Sequence, residues 1–84
     1  MEIKSILHNY IFRNFRIMFE WFRGNKDNQR KNFYNYKFLI NRLLELVGEK
    51  ATFKELKGEN VRNQHWDFWN SVKNLIVIHK NDLL

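Results

Sequence analysis

The side chains able to do proton or metal chemistry near neutral pH are few in these 84 residues. The three histidines, His8, His65 and His79, are too far apart in sequence to form a metal-ligand spacing with one another or with another ligand. The chain has no cysteine, so thiolate metal sites, a Cys-His nucleophile and disulfides are excluded. No Ser-His-Asp arrangement and no glycine-rich phosphate loop can be assembled from the sequence. Glu45 and Glu49 lie one helical turn apart, a spacing open to a general acid/base pair, but a charged face in solvent is the simpler account. His65 falls on the apolar side of a helix, where a hydrogen-bonded core histidine is expected rather than a ligand. The expectation is a protein that is not an enzyme, with no metal and no cofactor.

Binding chemistry is better represented. The formal net charge is +6, which favours anionic partners such as nucleic acid, acidic protein surfaces or anionic lipid. The excess is spread over residues 1–58, and residues 59–84 carry no net charge. Arg30 and Lys31 close a polar loop, "GNKDNQRK", whose contacts with DNA would be to phosphates rather than bases. Trp66 lies off the apolar stripe of the last helix, between Arg62 and Lys73 in sequence. A tryptophan flanked by cations can stack on a base while the cations meet phosphate, or it can pack at the margin of the core. Arg30, Lys31, Arg62, Trp66 and Lys73 are therefore the candidate nucleic-acid contacts.

These side chains must be positioned by helices. The chain has no proline and three widely spaced glycines, and its aromatics (eight Phe, three Tyr, three Trp) supply core area that so short a chain otherwise lacks. Residues 1–23 read as one long apolar-rich helix. At about 100° per residue, Glu2, Ser5, Asn9, Arg13, Arg16, Glu20 and Arg23 fall on one narrow stripe, and nearly all the rest is apolar. An ordinary surface helix has an apolar arc of about 100° or somewhat more, and this arc is far wider. Either the other helices wrap it, or Ile11, Phe12, Phe15, Phe19 and Phe22 meet a protein partner or a second copy. A membrane span is not expected, because charges interrupt residues 3–22. No signal peptide and no small-molecule substrate are expected either.

Residues 24–31 form the basic loop. A helical module over residues 32–75 follows, with Asn32 as the expected cap, Phe33 and Tyr36 expected in the core, and Tyr34 and Lys37 expected to face outward. Gly48 stands where a left-handed C-terminal cap is wanted. "TFKE", Thr52 to Glu55, has the form of a capping box and predicts a short helix over 53–57. The last helix spans about 59–75, and the tail, 76–84, can extend that helix or form a strand. The fold class is all-α, a small single-domain bundle of three main helices and one short one.

The stretch "RKNFYNYKFLINRLLELVGE" resembles the C-terminal region of the late transcription factor three-like proteins of poxviruses and other large DNA viruses. Arg30, Asn32, Phe33, Tyr36, Leu43, Leu44 and Gly48 fit its start and end, and Phe53, Leu56, Lys57, Gln64 and Trp69 follow in the order of that family. The resemblance covers roughly residues 30–75. Proteins of the family carry cysteines further upstream that suggest a zinc site, whereas this chain has none. The resemblance implies a viral late-transcription module that contacts transcription proteins, DNA or both, in the cytoplasm or nucleus of an infected cell. It assigns no catalytic or metal-binding residue. The alternative function is a small structural or scaffolding subunit, such as a virion component, that docks through its first helix.

Overall fold

The computed structural model describes residues 5–25 and 32–82, which form three α-helices and two 3-10 turns, with no strand among the described residues. Helix α1 is Ser5–Gly24, α2 is Tyr36–Leu46 and α3 is Glu59–Val72, and the 3-10 turns are Lys73–Leu75 and Lys80–Asp82. The all-α expectation holds. No described helix is long and apolar enough to cross a membrane.

Helix α1 buries Leu7, Tyr10, Ile11, Asn14 and Met18, which recur at spacings of three and four and so share one face. That face meets Phe38, Leu39, Leu43 and Leu44 of α2 and Phe68, Trp69 and Val72 of α3 in one core. The Tyr10 hydroxyl ties α1 to α2 by donating to the Leu43 carbonyl at 2.6 Å. Much of the wide apolar arc of α1 is thus covered from within. The molecule measures 37 × 28 × 17 Å. Part of α1 stays open all the same, with Phe12 71% and Phe19 42% exposed.

Helix α2 begins three residues later than the sequence suggests. Its cap is Asn35, not Asn32, and the Asn35 side chain accepts from the Lys37 N–H at 2.8 Å. The shift leaves Phe33 and Tyr34 in the extended approach to α2. There Tyr34 stacks on Phe68, with ring centroids 4.1 Å apart and planes at 15°, so its expected outward orientation is corrected. Phe33 closes edge-on against Phe22 and Phe68, at 5.3 and 5.7 Å. Tyr36, expected in the core, is 57% exposed. Gly48 ends α2 with φ +80° as expected, and the Glu49 and Gly48 N–H groups bond to the Leu44 and Glu45 carbonyls at 2.9 and 3.2 Å, the two bonds of a Schellman cap.

The short helix expected over 53–57 is absent. Asn41, fully buried on α2, takes the backbone that such a helix would need. Its Oδ1 accepts from the N–H groups of Thr52 and Phe53 at 2.9 and 3.0 Å, and its Nδ2 donates to the Phe53 carbonyl at 2.7 Å. Glu55, the fourth residue of the supposed capping box, instead pairs with Arg42. Asn14 on α1 performs the same task for the tail. It accepts from the Val77 N–H at 2.8 Å and donates to the Val77 carbonyl at 2.9 Å. Residues 76–79 therefore run extended along α1 without pairing as a strand. Asp82 completes this latch, 2.5 Å from Arg13 Nη2 and accepting from the His79 N–H at 2.9 Å. Burial pushes the Asp82 carboxyl up, but the His79 N–H, the Arg13 hydrogen bond and the charges of Arg13 and His79 together hold it below its usual value.

Candidate docking surface

The face of α1 that the fold leaves open is built from His8, Ile11, Phe12 and Phe15, at positions i, i+3, i+4 and i+7 of one helix. Tyr36 and Ile40, one turn apart on α2, form the facing wall. Together they line an open apolar groove of about 410 Å³. Ile11 and Ile40 are nearly buried and make its floor, whereas Phe12, 71% exposed, and Tyr36 stand up at its edges. The late start of α2 explains the exposed tyrosine. With the cap at Asn35, Tyr36 is the first helical residue, and its ring has no preceding turn of α2 to lie back on. The polar groups at the groove are the His8 imidazole, edge-on to Phe12 at 6.5 Å between centroids, and the Tyr36 hydroxyl. Such a surface recognises apolar shape, and the two polar groups can only orient what it binds.

The residues proposed from sequence for a partner divide in two. Ile11, Phe12 and Phe15 line this groove, with Ile11 as floor rather than exposed contact. Phe22 turns inward, with its ring 5.9 Å from Tyr34 and 6.4 Å from Phe68. Phe19 is 42% exposed but lies edge-on to Phe33 at 5.3 Å, with the Arg23 guanidinium 5.8 Å from its ring. Tyr36 and Ile40 went unrecognised in the sequence because a groove between helices belongs to neither helix pattern alone.

Of the residues expected to meet an anion, Arg30 and Lys31 lie outside the described residues. Arg62 and Lys73 are exposed, and with Trp66 they fall along one side of α3 and its 3-10 extension. Trp66 is 37% exposed. One ring face is covered by the Arg42 guanidinium at 4.6 Å, and Phe38 approaches edge-on at 5.3 Å. Arg42 itself is buried, 4.8 Å from the Phe38 ring, paired with Glu55, and with Nε 2.8 Å from Glu45 Oε1 though poorly aligned for a hydrogen bond. Glu45 is thus an ion-pair partner of Arg42. Trp66 sits at the core margin with a cation already stacked on it.

His65 is a core histidine. Its Nε2 accepts from the Asn35 N–H at 2.9 Å, so the proton resides on Nδ1, which donates to the Val61 carbonyl at 2.8 Å. Among the described residues no three His, Cys, Asp or Glu side chains gather closely enough to hold a metal ion.

No family model matches this chain, and neither a curated protein nor a solved structure is similar to it.

Proposed function

We propose that this protein is a non-enzymatic docking module that receives a protein partner in the groove between α1 and α2. One observation carries the reading: Phe12, 71% exposed, stands at the edge of an apolar groove of about 410 Å³ that the protein's own helices leave open. Contiguous apolar surface of this kind is costly in water and marks interaction sites. Late viral transcription as the setting rests on the likeness of residues 30–75 to the late transcription factor three-like proteins. A scaffolding or virion subunit would use the same groove, so the two settings differ in the partner and not in the surface. The site is expected to bind an apolar fluorescent dye in the wild type and to lose most of that binding in Phe12→Glu, with the helical circular dichroism unchanged. Equal dye binding by both proteins, or none by either, would remove the groove from the account.

Arg62 and Lys73, exposed along one side of α3, favour a second reading in which the same module rests on nucleic acid. Duplex binding would then weaken steeply with salt, and Arg62→Ala/Lys73→Ala would lower the salt slope by about 2, one for each phosphate no longer neutralised. Fluorescence anisotropy over a salt series measures this, and an unchanged slope in the variant would place any DNA elsewhere.

A further inference from the structure

We propose that the occupant of the groove is an acidic amphipathic helix of another protein. This deepens the docking reading and rests on it.

The shape of the groove is set by α1. His8, Ile11, Phe12 and Phe15 present two turns of side chains at helical spacing, and Tyr36 and Ile40 present one turn opposite them. A trough with walls in this register matches the ridges of a third helix, whose apolar residues at i, i+3, i+4 and i+7 would enter it. The floor is apolar, so it selects for burial and not for sequence.

The flanks of the groove are basic. Arg16 lies one turn beyond Phe12, with its side chain 82% exposed. Arg23 lies further along α1 with its guanidinium 5.8 Å from the Phe19 ring, and Lys37, next to Tyr36 on α2, is exposed with its ammonium 5.8 Å from the Phe53 ring. Glu20 is the acidic residue on that side of α1, and it lies 3.3 Å from Arg16 Nε. An acidic helix seated in the groove would bring its carboxylates near these cations. At physiological salt, charges are screened over about 8 Å, so charges on the groove's margins still contribute. A second copy is the natural rival occupant. It would bring one +6 chain against another, with like charges on both flanks. Charge complementarity thus selects a partner of opposite sign.

The test uses two fluorescein-labelled synthetic helices of about 18 residues, long enough to hold helical structure. Both carry leucine at the same i, i+3, i+4 and i+7 positions, with glutamate on the other faces of one and lysine on those of the other. Anisotropy against the full chain should show the glutamate peptide binding at least about tenfold tighter, a preference that shrinks as salt rises. Phe12→Ala should weaken its binding about tenfold, as removal of a central aromatic anchor does. Arg16→Ala/Lys37→Ala, both at exposed positions, should narrow the preference for the glutamate peptide while leaving the fold intact. Equal binding of the two peptides would overturn the charge selection and leave the docking reading standing. Binding of neither peptide would overturn the proposed occupant, and loss of dye binding as well would take the docking reading with it. Sedimentation showing a dimer that Phe12→Glu dissociates would overturn it in favour of a second copy. Tighter association with anionic vesicles than with the glutamate peptide would overturn it in favour of a lipid surface.

Discussion

Phe68→Ala should lower the unfolding free energy by about 3–5 kcal/mol, the usual cost of emptying a buried aromatic site. Phe68 is 4% exposed and is the hub of the aromatic cluster. Tyr34 stacks on it at 4.1 Å, and Trp21, Phe33 and Phe22 approach edge-on at 5.8, 5.7 and 6.4 Å. These rings come from α1, the approach to α2, and α3, so one truncation loosens all three. A chain of this size has a total stability of only about 4–12 kcal/mol. The variant should therefore lose at least about a quarter of that stability, with its urea midpoint lowered in proportion. Phe68→Leu, which keeps most of the volume, should lose less and still unfold cooperatively. A loss below about 1 kcal/mol in Phe68→Ala would mean that the cluster is not packed as described.

Asn14→Ala should cost about 1–3 kcal/mol, because it deletes a buried side chain, strips the Val77 N–H of its acceptor and leaves the Val77 carbonyl with Arg13 Nη2, 3.2 Å away, as its remaining donor. Asn14 is fully buried and binds both the N–H and the carbonyl of Val77. The same latch contains Arg13 and Asp82, so Asn14→Ala and Asp82→Ala should be less than additive in a double-mutant cycle. Acid should open it too. The Asp82 carboxyl is held below its usual value in the folded protein, so its contribution is present above about pH 4 and is lost as pH falls through the folded value. Asp82→Ala should flatten the acid limb of the urea midpoint against pH. At the alkaline end Tyr10, pushed up to about 12 by burial, with Asp82 adding and Arg13 opposing, acts with the opposite sign. The unfolded tyrosine ionises near pH 10 while the folded one stays neutral, so stability falls from about pH 10 towards 12. Tyr10→Phe should remove that alkaline loss.

The two buried asparagines explain much of what the sequence does not disclose. Asn14 interrupts the apolar face of α1 and Asn41 that of α2, and neither position carries a local signal that its side chain will hold a distant backbone segment. Once Asn41 Nδ2 holds the Phe53 carbonyl, the acceptor that the Lys57 N–H would need in a short helix is engaged, and a helix of one turn has too little hydrogen bonding of its own to compete. Asn32 and Asn35 are equal as local caps. Asn35 prevails because it frees Phe33 and Tyr34 to pack on Phe68, and its N–H is held by His65. What was legible is local in origin: the long apolar α1, the left-handed Gly48 and the hydrogen-bonded His65 each follow from residues within a turn or two. Of the candidate surface, Ile11, Phe12 and Phe15 could be read from the α1 pattern. Tyr36 and Ile40 could not, because their place depends on where α2 starts and how it leans against α1.

The central claim is that the groove is open on the folded protein, and thiol labelling tests it most directly. The chain has no cysteine, so a single introduced thiol reports without background. In Phe12→Cys the thiol should react with a water-soluble disulfide reagent at nearly the rate of the denatured chain. In Met18→Cys, at a fully buried position, it should react only as fast as the protein opens. Protection of the Phe12→Cys thiol in the folded monomer, approaching that of Met18→Cys, would show that the protein covers this face itself and would contradict the account.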